Sequence, residues 1–360
     1  MAFQEKGALF KETAMDGLLG PKTLLIRTQT ERLSHPKRSP KQGWEFDWST
    51  AGFVGGFKPP NTDLKERRFE LFSQESTQGS TRPEGVVRML LRLFSYNISY
   101  MRLEHAPEFS KTVTVYLCFG GDPGGEQLVD VDNQTGGDKV DTIYFYDLKS
   151  MTDPVEAVRE VAHEYGHAVL PPLGGDYTAP EAWANGYLGE KLYLSYLARA
   201  REAKEKDPAR LYAADTLGAT APALRAWVVK NVDPLVADAL TNGPRPALLA
   251  RKDKAGMDAA FGLILATAQL YNPYVMCRAL YANGADPKTF PEAAATAAAE
   301  PRQITLSIPP ALRSKPIWIP IGPDRKKNVV QGATEMGPRK DGWVRIQPGR
   351  TDVIVRNYPD

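Results

Sequence analysis

The chain has 360 residues, 42% of them hydrophobic and 24% charged, and its formal net charge is +2. These are ordinary globular values that permit a sizeable core. So slight a charge gives no case for nucleic-acid or membrane-surface binding. Two cysteines, Cys118 and Cys277, make neither a disulfide framework nor a Cys-rich metal site, and buried free thiols are expected.

No apolar run approaches the roughly 18 residues of a membrane span. The opening MAFQEKGALFKETAMDG lacks the apolar core of a signal peptide. A cytosolic chain and one whose leader has been replaced by a start Met read alike here. The basic clusters at 36–41 and 325–327 are short and read as solvated loops.

Residues 1–83 are rich in β-formers, glycine and aromatics, and the stretches Thr23–Thr28 and Trp44–Trp48 read as strands. Val86–Phe94 carries apolar residues at helical spacing. Thr112–Phe119 is a strand, 120–138 a Gly/Asp-rich loop, and Val140–Tyr146 a further strand. Residues 180–298 are helical in pattern and rich in Ala and Leu, and 304–360 returns to strands as a small β module after a linker near 299–303. The order implies an α+β fold.

The stretch of greatest chemical interest is HEYGH at 163–167, which holds two of the chain's four histidines. Asp153, Pro154 and Glu156 form a helix start, with Asp153 as cap and Glu156 placed for a capping box. Pro171–Pro172 and Gly174–Gly175 end the helix near Leu170. Val155, Val158, Ala162, Tyr165 and Val169 make one buried stripe. His163 and His167, at i and i+4, lie roughly 5–6 Å apart at Cβ, close enough for two imidazoles to share a metal ion. Glu164 is about 100° further round the helix and can reach a metal-bound water. Zinc in hydrolytic sites takes three protein ligands and keeps one position for water. The plain alternative is a helix surface with two histidines and a glutamate.

The third ligand is sought on a new helix opening at Pro180. Glu181 lies 14 positions beyond His167, and Asn185 one turn further can hydrogen-bond a ligand histidine's second ring nitrogen. Glu190 is the rival ligand. It is half a turn out of phase with Glu181 on one helix, so both cannot face the metal; the Asn185 companion favours Glu181.

His163-Glu164-Tyr165-Gly166-His167 followed by Glu181-x-x-x-Asn185 resembles the gluzincin metallopeptidases, the thermolysin-like and aminopeptidase-like branch of the zincins. The resemblance spans residues 85–195 and is specific in about 25 of them. It implies Zn2+ held by His163, His167 and Glu181, with Glu164 as general base. It also implies a two-lobed core at 84–298, with a mixed sheet over the motif helix and a helical lobe at 180–298 that carries the third ligand. In that plan Val140–Tyr146 is the sheet edge that pairs with an extended peptide. The His-to-Glu gap is short, Asn185 stands where thermolysin-like enzymes have an acid, and the Gly-x-Met-Glu-Asn run of the aminopeptidases is absent.

A transition-state-stabilising side chain is expected near the metal. Tyr271, Tyr274 and Tyr177 are the candidates, with His105 and His35 behind them. Glu160 and Glu156 share the histidine face, and Gly166 is placed for close approach by another segment. The expected function is a zinc-dependent peptidase acting on a peptide or protein substrate. The alternatives are a non-catalytic binding protein on a zincin scaffold and a zinc hydrolase of non-peptide amides. A peptidase with β-rich flanks leans toward an extracytoplasmic setting, its leader removed.

Overall fold

The computed structural model describes residues 13–14, 23–32, 49–58, 66–73, 82–104, 112–118, 122–132, 138–205, 216–349 and 351–358. The expected strand at Trp44–Trp48, the basic cluster at 36–41, His35 and His105 lie outside them. The fold is mixed α+β. The chain forms two compact units: Met1–Ser99 with Leu103–Leu170 and Gly189–Ala226, and Tyr100–Arg102 with Pro171–Leu188 and Trp227–Asp360. Among the described residues no helix is long and apolar enough to cross a membrane.

The first unit is built on one seven-stranded sheet. Its strands are β1 (Thr13–Ala14), β2 (Thr23–Arg32), β3 (Ser49–Lys58), β4 (Glu66–Ser73), β5 (Val113–Cys118), β6 (Gly124–Asp132) and β7 (Asp138–Tyr146), in the order β1-β2-β3-β4-β5-β7-β6. Helix α1 (Arg82–Tyr96) makes the crossover between parallel β4 and β5. The strands of the N-terminal region therefore belong to the same sheet as the core strands, and the boundary drawn at 83/84 does not separate two sheets. Backbone pairing overrides the change in composition seen in the sequence.

Two expectations at the sheet edge are corrected. β7 is not the edge, because it is paired on both sides, parallel to β5 and antiparallel to β6. The edge is β6, whose nine residues fall within the stretch read as a Gly/Asp-rich loop. Its glycines and aspartates depress strand propensity, but nine residues register against β7, from Gly124↔Tyr146 to Asp132↔Asp138. That ladder, rather than local preference, fixes β6.

Around β5 and β7 the sheet is buried on both faces. On one side Val113, Val115, Leu117, Ile143 and Phe145 are fully or almost fully buried. On the other a row of rings crosses the strands: Phe72 stacks on Tyr116 at 5.4 Å and Tyr116 on Tyr144 at 5.1 Å between centroids. Tyr144 continues the row to Tyr146, whose hydroxyl donates to Glu126 on β6. Cys118 lies in this layer, and both cysteines are free and buried.

A buried carboxyl gives this sheet a pH signature. Asp141 on β7 is 2% exposed, and burial pushes its pKa up from 3.8 to about 7, although Gln127 Nε2 donates to its Oδ1 at 2.5 Å. The raised folded value favours the protonated form. The stability it confers is complete below the unfolded pKa near 4 and is lost as pH rises to about 7. At about 1.4 kcal/mol per pKa unit, ionisation costs the fold about 4 kcal/mol. Asp141→Asn keeps an oxygen for Gln127 without the charge. Denaturant unfolding from pH 4 to 8 should show wild-type stability falling across that window and the variant's staying flatter, with the variant more stable at pH 8.

α2 (Pro154–Val169) is the motif helix, and α3 (Asn185–Glu205) follows it. The stripe Val155, Val158, Ala162, Tyr165 and Val169 is buried as expected. Tyr165 packs edge-on to Phe69 of β4 and against Tyr193 of α3, each at 5.7 Å. Asn97 Nδ2 donates to the Tyr193 hydroxyl at 3.0 Å.

The remaining elements are α4 (Ala221–Asn231), α5 (Asp233–Asn242), α6 (Pro246–Leu249), α7 (Lys254–Leu270), α8 (Pro273–Ala279) and α9 (Phe290–Ala299), then β8 (Gln303–Thr305), β9 (Ile317–Pro320), β10 (Asn328–Gln331), β11 (Ala333–Glu335), β12 (Trp343–Pro348) and β13 (Ile354–Asn357). The last six strands form two antiparallel sheets, β10-β13-β8 and β11-β12-β9. The terminal β region lies in the second unit together with helices α5 to α9, and Trp343 there is fully buried, its indole N–H donating to Pro291 O at 2.8 Å. Asn357 Nδ2 likewise donates to Ala298 O at 3.0 Å.

Candidate metal centre

α2 starts as its sequence dictates. Asp153 caps it by accepting from Val155 N–H at 2.9 Å, and Pro154 takes the first helical position. The expected capping box is only half present, because the Glu156 carboxylate is held by Arg159 one turn on. Leu170 N–H closes the last turn on Gly166 O at 2.9 Å before Pro171 stops the helix.

The two histidines converge. His163 Nε2 and His167 Nε2 are 3.1 Å apart. Glu181 belongs to the second unit, on the stretch between α2 and α3. Glu181 does not sit on a helix as expected. Residues 173–184 form a closed loop tied by Ala184 N–H to Leu173 O at 2.8 Å and Gly175 N–H to Ala182 O at 2.9 Å, with Gly174 and Gly175 at φ +91° and +97°. α3 therefore begins only at Asn185, and the half-turn argument against Glu190 falls with it.

Glu190 has a different place. Its Oε1 is 2.8 Å from His163 Nδ1, the ring nitrogen opposite the one that faces His167. Arg159 Nε donates to Glu190 Oε2 at 3.2 Å. Burial pushes the Glu190 carboxyl up, but the His163 hydrogen bond and the Arg159 charge outweigh it and hold the group below its ordinary value. Glu190 thus binds His163 through one carboxylate oxygen and Arg159 through the other. Asn185 is buried at the start of α3.

The donor set suits a cation. An anionic Glu190 can only accept at His163 Nδ1, so that nitrogen carries the proton and Nε2 presents a lone pair. A lone pair facing a second imidazole nitrogen needs a proton or a cation between them. Two nitrogens bound to tetrahedral zinc at about 2.05 Å would sit roughly 3.3 Å apart, close to the distance found. Two imidazoles and a carboxylate are hydrolytic zinc's own ligand types.

Glu164 is 4% exposed and lies under the first residues of β6. A Cβ on Gly125 would come within 2.6 Å of Glu164 Cγ and 3.0 Å of Glu160 Oε1. Only glycine lets the edge strand approach the base this closely. The double glycine at 124–125 was the sequence's signal for that contact, and it was absorbed into a loop reading.

The other candidates separate. The Tyr271 hydroxyl donates to Pro320 O in the second unit, and burial pushes its pKa up. Tyr271 is buried in the core of that unit. Tyr274 is half-buried, with the Arg102 guanidinium 4.7 Å from its ring centroid. Tyr177 is buried within the Glu181 loop, and burial with the nearby Asp176 and Asp286 carboxylates pushes its pKa up to about 12. Its hydroxyl meets no hydrogen-bond partner among the described residues. Comparisons with protein-family models, curated proteins and solved structures find no match to this chain.

Proposed function

We propose that the protein is a zinc-dependent peptidase of the gluzincin kind. The observation that carries the reading is the convergence of the His163 and His167 Nε2 atoms at 3.1 Å, one residue from a buried glutamate packed beneath a sheet edge. His163, His167 and Glu181 would hold the ion. Bound zinc would polarise the scissile carbonyl and lower the pKa of a water molecule to about 7. The Glu164 carboxylate accepts that water's proton and returns it to the leaving amine. β6 is the edge strand beside Glu164, and an extended peptide paired along it would bring its backbone past the base. Tyr177, as a neutral phenol, would be the candidate donor to the developing oxyanion.

The test is metal content by elemental analysis, with Glu181→Ala measured beside wild type. About one zinc per wild-type chain, removed by a chelator together with peptide hydrolysis and restored with it, is the expected result. The variant should hold far less. A wild type that takes up no zinc after reconstitution ends the peptidase reading, and a variant that keeps its zinc moves the third ligand away from Glu181.

A further inference from the structure

The chain Glu156–Arg159–Glu190–His163 is not explained by the peptidase reading. It runs inward from solvent. Side-chain exposure is 50% at Glu156, 29% at Arg159 and 4% at Glu190, and the last contact is to His163 Nδ1 at 2.8 Å. Each carboxylate oxygen of Glu190 has its own partner, Oε1 with His163 and Oε2 with Arg159. Each imidazole bears one proton that can sit on either nitrogen, and only an unprotonated nitrogen can bind metal. A histidine in water divides between the two tautomers. One whose Nδ1 faces a fixed carboxylate does not.

We propose that Arg159 and Glu190 form an orienting arm that locks His163 in its Nδ1–H tautomer and so keeps the Nε2 lone pair directed toward His167. Glu190 acts on the ring directly. Arg159 acts through Glu190, pinning Oε2 so that Oε1 stays on His163. Both are positioning residues and touch no substrate. The backbone explains how Glu190 gets there. Its neighbour Gly189 lies against α2, where an added Cβ would be 2.6 Å from Gly166 Cα and 2.8 Å from Ala162 O. Glu190 therefore enters from the face of α2 that carries Arg159, Ala162, His163 and Gly166, while β6 covers the face of Glu160 and Glu164. The base and the orienting arm approach the histidine helix from different sides, so one can be altered without the other.

The inference rests on the zinc reading for its purpose but not for its test, because the tautomer can be read without metal. In metal-free protein with 15N-labelled histidine, nitrogen shifts report which ring nitrogen of His163 carries the proton; His163→Gln assigns the signal. Wild type should show Nδ1–H alone, and Glu190→Ala a mixture of both forms. With zinc and a competing chelator, Glu190→Gln and Glu190→Ala should bind about 10–100-fold more weakly than wild type, the usual range for loss of a ligand's hydrogen-bond partner. Arg159→Met should lose affinity by a smaller factor, and Arg159→Lys should recover part of it. Glu190→Gln keeps the shape of the side chain and serves where Glu190→Ala fails to fold. A wild-type tautomer together with wild-type zinc affinity in the Glu190 variants overturns the proposal. If wild type takes up no zinc but Glu190→Ala still shifts the apo tautomer, the peptidase reading fails and the arm stands.

Discussion

Glu164→Gln should abolish turnover while leaving zinc in place. Gln is isosteric with Glu, so it fills the same space beneath Gly125, where no Cβ would fit, and leaves the His163–Glu190 contact untouched. What it lacks is a carboxylate to accept the water's proton. A positioned general base contributes about 10²–10⁴-fold to rate, and hydrolysis of a quenched-fluorescence peptide library should fall by that factor with zinc still near one per chain. A variant as active as wild type removes Glu164 from the chemistry. A wild type that binds peptides and zinc but cleaves none of the library marks a binding protein on the same scaffold. The variant is informative because Glu164 is 4% exposed: a buried carboxylate at that position, beside the histidine pair, is costly to keep unless it works.

Much of the motif helix was legible in the sequence, because its signals are local. A capping aspartate, a proline at the first turn, a 3.6-residue apolar stripe and a double proline after the last turn all act within a few residues of themselves. The i, i+4 histidine pair belongs to the same class. What was not legible depends on pairing across the chain. β6 looks like a loop when read alone, since Gly124, Gly125 and its aspartates favour turns, and only the ladder with β7 makes it the sheet edge. β7 was expected at the edge only through the family resemblance, and nothing in Val140–Tyr146 announces its partner on each side.

Glu181 and Glu190 show the same limit. Both were placed on one helix by spacing, and the phase argument between them followed correctly from that premise. The premise failed because cross-loop bonds between Leu173 and Ala184 and between Gly175 and Ala182 hold residues 173–184 out of the helix. Once Glu181 leaves the helix, the two glutamates no longer compete for one position, and each can serve a different side of the histidine pair. Tyr271 shows a related limit, because the acceptor for its hydroxyl, Pro320 O, lies 49 residues away.

Gly189→Ala should damage both stability and metal affinity. An added Cβ would meet Gly166 Cα at 2.6 Å and Ala162 O at 2.8 Å, both backbone atoms of α2. A flexible side chain could turn aside, but a helix backbone can only be pushed away. Overpacking of this kind costs about 1–3 kcal/mol and sometimes more, and a collision with backbone belongs at the upper end. For a domain of this size, about 3 kcal/mol lowers Tm by about 6–12 °C. Displacing α3 from α2 also carries Glu190 away from His163 Nδ1, so zinc binding should weaken at least as much as in Glu190→Gln. Gly262→Ala is the matched control. Its Cβ would meet Leu235 O at 2.6 Å where α5 and α7 pack in the second unit, so it should lower Tm comparably while zinc affinity stays at the wild-type level. Equal zinc affinity in Gly189→Ala and Gly262→Ala would mean that the crossing at Gly166 supports the fold alone; a loss confined to Gly189→Ala ties that crossing to the metal centre.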